Sequence, residues 1–261
     1  MSPCLTCAIL AGGFGTRLAA LVPDVPKPMA PVAGHPFLEY LVRQVREAGC
    51  KDVVMCVGYK ADVIERHFGN GDSFGVSIRY LREALPLGTG GALAQVVDDE
   101  CSDPFLALNG DSYCAIDFGK ILEAHRQWHA IASIAVTRVN DLGRYGSVRL
   151  DKTGVVLGFS EKNQTSGVGF VNAGVYVLGH SVLAGVPRGM PVSIEREVFP
   201  SLVGRGFFGF VADGEFIDIG MPAEYMRAQD FFAGKEPVRL ATGVRGSAVP
   251  PFSRMLDCRE C

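Results

Sequence analysis

Residues 5–11 form a short apolar run, Leu-Thr-Cys-Ala-Ile-Leu-Ala, that stops at Gly12-Gly13. A run of this length and character fits a strand buried on both faces, and such strands lie in sheets that helices cover from both sides. The first half of the chain repeats the theme. Phe37, Leu38, Leu41, Val42, Val45 and Ala48 share one helical stripe that Gly49 ends, as an amphipathic helix with a glycine stop requires. Strands are expected at 52–57, 76–81 and 105–108, and helices at 60–68, 90–97 and 117–129. Strand and helix alternate at βαβ lengths, which implies a largely parallel sheet. Beyond residue 130 the pattern changes to strands at 131–137, 146–150, 155–159 and 170–178, with turn residues such as Asp151-Lys152-Thr153-Gly154 between them. Phe207-Phe208 reads as core strand, and 193–199 and 222–233 as helices, the last opened by Pro222 and closed by Gly234. The expectation is one α/β domain over residues 1–234, with halves of about 1–130 and 131–234, followed by an irregular tail at 235–261.

Composition excludes several function classes. With 261 residues and 48% hydrophobic side chains the chain can bury a sizeable core. Its 25 basic and 28 acidic side chains give a formal charge of −3, which argues against nucleic acid as a partner. No apolar run approaches the roughly 18 residues of a membrane span, and no Lys or Arg precedes Arg17, so a signal peptide is not expected and the reading is cytoplasmic. The eight cysteines are too sparse for a disulfide scaffold. Two pairs, Cys4/Cys7 and Cys258/Cys261, have the C-x-x-C spacing of a zinc site. An offset of three on a strand places Cys4 and Cys7 on opposite faces, so reduced, mostly buried thiols are expected instead.

The chemistry is expected beyond the carboxyl ends of the strands, where open α/β sheets bind ligands. There the first strand runs into Gly12-Gly13-Phe14-Gly15-Thr16-Arg17. Glycines let backbone N–H groups approach an anion, and Arg offers a planar cationic fork to phosphate oxygens. Leu18 stands where a dinucleotide fingerprint needs its third glycine, and the P-loop pattern is absent. Lys27 lies between Pro26 and Pro28, on backbone too stiff to let its long side chain wander. His125 and His129 have helical spacing but lack the Glu of a zinc-protease motif. Trp128 beside them reads as packing against the sheet.

Gly12 to Leu18 with Pro26-Lys27-Pro28, then Gly88-Thr89-Gly90-Gly91, Asn109-Gly110-Asp111, Glu161-Lys162, Asn172-Ala173-Gly174 and Phe216-Ile217-Asp218-Ile219-Gly220 together resemble the signature of the sugar-1-phosphate nucleotidylyltransferases. Within that family the chain is most similar to D-glycero-α-D-manno-heptose 1-phosphate guanylyltransferases, through 24–31, 36–41, 86–91 and 213–220. The resemblance implies a nucleotidyltransferase-like, Rossmann-like three-layer α/β fold with a mixed, mostly parallel sheet. It implies Mg²⁺-dependent transfer of a guanylyl group from GTP to the heptose 1-phosphate, feeding bacterial surface-glycan assembly such as lipopolysaccharide or S-layer glycan. A mannose 1-phosphate or other hexose 1-phosphate nucleotidylyltransferase is the nearest alternative, and a non-catalytic nucleotide-sugar sensor the more distant one. Whether the chain acts alone or as a homo-oligomer stays open.

The same resemblance assigns roles. Leu10, Ala11, Gly12, Gly13, Gly15, Thr16, Arg17, Gly88 and Thr89 would hold the nucleotide. Arg17 and Lys27 would neutralise the reacting phosphates, Asp111 and Asp218 would hold the metal, and Gly146, Glu161, Lys162 and Asn172 would bind the sugar phosphate. The nucleophile is a phosphate monoester, largely dianionic at neutral pH, so no general base is expected and positioning with charge neutralisation should carry catalysis. Glu83 stands where relatives using uridine or thymidine triphosphate often have Gln. A carboxylate only accepts hydrogen bonds. Guanine offers it two adjacent donors, N1–H and the 2-amino group, and the other bases do not.

Overall fold

The computed structural model describes residues 5–15, 17–18, 21–160 and 167–235. Thr16, Glu161, Lys162, Cys4, Cys258 and Cys261 lie outside the described residues. The elements, in order, are β1 (Thr6–Leu10), β2 (Pro31–Val32), β3 (His35–Pro36), α1 (Phe37–Glu47), β4 (Asp52–Val57), α2 (Ala61–Phe68), β5 (Ser77–Arg82), α3 (Gly88–Asp98), β6 (Phe105–Asn109), β7 (Ser112–Cys114), α4 (Phe118–Gln127), β8 (Ala132–Val139), β9 (Ser147–Leu150), β10 (Val156–Ser160), β11 (Gly169–Leu178), α5 (Phe199–Leu202), β12 (Phe207–Val211), β13 (Phe216–Asp218) and α6 (Pro222–Phe232).

The central sheet is mixed. Its main path runs β10-β9-β11-β6-β1-β4-β5, with β8 paired to β11 and β12. β6, β1, β4 and β5 are parallel neighbours, whereas β11 runs antiparallel to β6. Successive side chains of β1 point to opposite faces and join two separate cores, as a strand buried on both sides must. Cys7 and Ile9 pack in the core with Phe37, Leu41 and Phe118, from α1 and α4. Ala8 packs on the other face with Leu93 and Phe199, from α3 and α5. The result is the expected three-layer α/β arrangement.

Local chemistry explains where the boundaries fall. Asp117 accepts hydrogen bonds from the backbone N–H of Gly119 (2.9 Å) and Lys120 (3.2 Å), so it caps α4 instead of joining it. Trp128 follows that helix and stacks on Phe208, with centroids 5.1 Å apart. His125 is buried with Nδ1 2.9 Å from Ser133 Oγ, and burial pushes its pKa down. The helix expected over 193–199 is instead a single π-type turn, Ile194–Val198, followed by the short α5. Pro200 has no N–H to offer the carbonyl of Arg196, so a regular ladder cannot run through. Cys7, Cys50, Cys56 and Cys114 are buried free thiols, and burial pushes the Cys114 thiol up to about 12. No helix among the described residues is long and apolar enough to cross a membrane.

Candidate active site

β1 and β6 end side by side, with Leu10 paired to Asn109. Their continuations stay close because Gly110 donates its N–H to Leu10 O at 2.9 Å. A Cβ at Gly110 would lie 2.5 Å from that same oxygen, so only glycine fits. Ala11 is buried and donates to Cys56 O at 2.8 Å, which fixes the take-off of the glycine loop. Beyond it Gly12, Gly13, Phe14 and Gly15 line a cavity of about 390 Å³ together with Leu10, Lys27, Glu83, Gly88 and Thr89. A second cavity of about 600 Å³ is lined by Arg17, Gly146, Asn172, Arg196 and Asp218 among others. Asn109, Asp111 and Glu195 belong to both, so they form the wall where the contents of the two cavities would meet. Arg17 is exposed and faces the second cavity, although it follows the loop that lines the first.

Lys27 lines the first cavity and reaches that wall through Asp111. It opens a short 3₁₀ turn, Lys27–Met29, behind Pro26, whose φ of −67° is fixed by its ring. Its Nζ lies 2.5 Å from Asp111 Oδ2, and its side chain is only 14% exposed. Gly15 has a φ of +59°, and a Cβ there would stand 2.5 Å from Lys27 Cβ. The glycine loop therefore lies flat against the lysine stem and holds it in place.

Asp111 and Asp218 are far apart in sequence but meet through a feature that periodicity did not show. β13 pairs antiparallel with β7, setting Asp218 opposite Ser112, and Ile219 N–H donates to Asp111 O at 3.0 Å. Asp218 Oδ1 accepts from Gly220 N–H at 2.7 Å. A Cβ at Gly220 would lie 2.7 Å from that Oδ1 and 2.9 Å from Lys27 Nζ, so both carboxylates sit beside one ammonium. Two hard oxygen donors facing a cavity suit Mg²⁺, which takes one or two carboxylates and fills its remaining positions with water and substrate oxygens. Among the described residues no group of three or more His, Cys, Asp or Glu side chains is placed to hold a metal. A metal here would draw its other ligands from substrate.

Glu83 is half-buried on the wall of the first cavity. Its Oε2 accepts from Leu87 N–H at 2.8 Å, and its Oε1 lies 2.8 Å from where a Gly12 Cβ would be. Burial raises its pKa, and the Leu87 N–H partly opposes that rise. Thr89 is engaged elsewhere: its hydroxyl donates to Glu195 Oε2 at 2.7 Å and accepts from Ile194 N–H at 2.9 Å. Asn172 accepts from Gly174 N–H at 2.8 Å and donates to the buried Tyr176 hydroxyl at 2.8 Å, which in turn donates to Asn109 at 3.4 Å. Its side chain thus pins an irregular stretch of β11 as well as facing the second cavity. Glu195, Ser193 and Tyr145 were not singled out in the sequence. Only folding carries them to the cavity.

Two carboxylates thus stand beside one lysine where the glycine-loop cavity meets the second cavity. The nucleotidyl transferase family model matches residues 7–234, and the chain belongs to that family as a sugar-1-phosphate nucleotidylyltransferase. It is 37% identical over 242 residues to the mannose-1-phosphate guanylyltransferase of Mycobacterium tuberculosis, covering 91% of this chain and 67% of that one. It is 35% identical over 222 residues to the D-glycero-alpha-D-manno-heptose 1-phosphate guanylyltransferase of Aneurinibacillus thermoaerophilus, covering 85% and 95%. Among solved structures, HddC from Yersinia pseudotuberculosis complexed with GMP-PN superimposes with a TM-score of 0.78 at 33% identity, covering 87% of this chain and 99% of that one.

Proposed function

We propose that the protein transfers a guanylyl group from GTP to D-glycero-α-D-manno-heptose 1-phosphate, releasing pyrophosphate and giving GDP-heptose. The observation that carries the reading is the contact of Lys27, on the wall of the first cavity, with Asp111, which lines both cavities. GTP takes the first cavity, with its triphosphate along the backbone of Gly12 to Thr16. Guanine reaches Glu83, whose Oε1 faces Gly12. The sugar phosphate takes the second cavity, against Gly146 and Asn172, with Glu161 and Lys162 as further contacts. The guanylyltransferase relatives and the structure complexed with GMP-PN support the choice of guanine.

In the reaction a phosphate oxygen of the sugar attacks the α-phosphorus of GTP, and the bond to pyrophosphate breaks. The attacking group is already ionised, so the chain's work is to bring two polyanions together and neutralise them. Lys27 supplies fixed positive charge beside Asp111, and Arg17, which lines the second cavity, meets the departing pyrophosphate from that side. Asp111 and Asp218 would hold Mg²⁺, which when bound screens the phosphate charge and polarises the α-phosphoryl group. The division of labour follows the chain, nucleotide first and sugar second, in a cytoplasmic enzyme serving bacterial surface-glycan assembly.

Mannose 1-phosphate is the second reading, favoured by the identity to the mycobacterial mannose enzyme. The test is pyrophosphate release with Mg²⁺ across ATP, CTP, GTP, UTP and dTTP, each with mannose, glucose and D-glycero-D-manno-heptose 1-phosphates. Turnover confined to GTP with the heptose is expected. Preference for mannose replaces the sugar, another base refutes the Glu83 argument, and silence across the grid shifts the weight to a sugar outside the panel or to a sensor.

A further inference from the structure

Glu195 stands out among the residues on the shared wall. It sits in the π-type turn Ile194–Val198, and such widened turns in helical segments often mark functional positions. Two hydroxyls donate to a single one of its oxygens: Thr89 Oγ1 at 2.7 Å and Ser193 Oγ at 3.0 Å, both to Oε2. Among the described residues no side chain donates to Oε1, although Glu195 lines both cavities. A carboxylate fixed through one oxygen keeps the other as an acceptor of defined direction, and a cavity that offers such an acceptor suits a ligand rich in hydroxyl donors. The lining beside it is polar as well, with Asn109 and Asn172 both held from behind by the buried Tyr176 hydroxyl.

We infer that Glu195 accepts hydrogen bonds from the hydroxyls of the sugar 1-phosphate, and that Thr89 is the residue that positions it. Thr89 thereby serves the sugar side of the reaction, although it belongs to the glycine-rich segment that opens α3 on the nucleotide cavity. Its hydroxyl has one proton, and it donates that proton to Glu195 Oε2. The inference rests on the proposed reaction for its second substrate. It also makes Gly88–Gly91 more than a base-side wall, because Gly90 N–H donates to Val192 O at 2.8 Å and so ties this segment to the strand of chain that carries Glu195.

The test compares wild type with Thr89→Val, Thr89→Ser and Glu195→Gln, reading the KM for sugar 1-phosphate, kcat, and GTP affinity by calorimetry without sugar. Thr89→Val and Glu195→Gln should raise the sugar-phosphate KM by roughly ten- to hundredfold, with GTP affinity within about twofold of wild type. Thr89→Ser, which keeps the hydroxyl, should restore the wild-type KM. Weakened GTP binding in Thr89→Val would make Thr89 a nucleotide ligand and overturn the inference. Equal losses in the Ser and Val variants would reduce it to packing and overturn it too. The proposed substrate is judged separately, by which sugar 1-phosphate the wild type turns over; the variant ratios are then read on that sugar.

Discussion

Replacing Gly15 with Ala tests whether the glycine loop exists partly to hold Lys27. Its φ of +59° lies in the left-handed region, where an L side chain costs about 1–2 kcal/mol. The new Cβ would stand 2.5 Å from Lys27 Cβ and 3.3 Å from its Cγ and Cδ. Carbon atoms settle at about 3.5–4.0 Å, so one partner must move by about 1 Å. Overpacking of this kind costs roughly 1–3 kcal/mol, for a combined destabilisation of about 2–5 kcal/mol. A domain with 5–15 kcal/mol of stability survives that at low temperature. Lys27, however, is displaced from its 2.5 Å contact with Asp111. A misplacement of about 1 Å at a reacting centre costs roughly a hundredfold in rate. We expect kcat for pyrophosphate release to fall by about that factor in protein shown to be folded by circular dichroism. In a Lys27→Ala background the same change should add little to the loss in kcat, because the ammonium it displaces is gone. A Gly13→Ala control, whose Cβ meets nothing within 4 Å, should unfold within about 0.5 kcal/mol of wild type. Wild-type kcat in Gly15→Ala, or full additivity with Lys27→Ala, would refute the idea that the loop positions the lysine.

The remaining predictions concern the base and the metal. Glu83→Gln replaces an acceptor-only group with an amide and should lower the kcat/KM preference for GTP over UTP by ten- to hundredfold; an unchanged ratio places the base elsewhere. Burial raises the Glu83 pKa, so the carboxylate takes up its proton at higher pH than an exposed Glu. The KM for GTP should therefore rise as pH falls through that raised value and be restored above it, and the Glu83→Gln profile should lack this step. Asp218→Asn keeps the hydrogen-bond geometry to Gly220 N–H but removes a charge beside Lys27. It should lower kcat by about a hundredfold or more and raise the Mg²⁺ concentration needed for half-maximal rate; an unaltered Mg²⁺ dependence removes Asp218 from the metal site.

Much of this protein was legible before folding. The apolar run at 5–11 and the amphipathic stripe of α1 follow from periodicity alone, because burial on both faces or on one face leaves its mark locally. The glycine loop, Lys27 between two prolines and the aspartates were visible as chemistry and as a family resemblance. What sequence periodicity missed is short or non-local. β7 and β13 are three residues each and gain their order from pairing with one another, so neither shows a pattern of its own. The expected helix over 193–199 is present but opens as a widened π-type turn, Ile194–Val198, running into α5, and periodicity did not show that Glu195 would line the cavities from it.

The sequence by itself determined the layered α/β fold and the types of group available for the chemistry, since both depend on residues near one another in the chain. Tertiary structure alone decided the convergence. It laid Gly15 on the stem of Lys27, set Asp218 against Ser112 so that two distant carboxylates flank one ammonium, and turned Thr89 toward Glu195. Those contacts join residues 12 to 106 positions apart, and only the folded sheet with its loops gathered at one end brings them together.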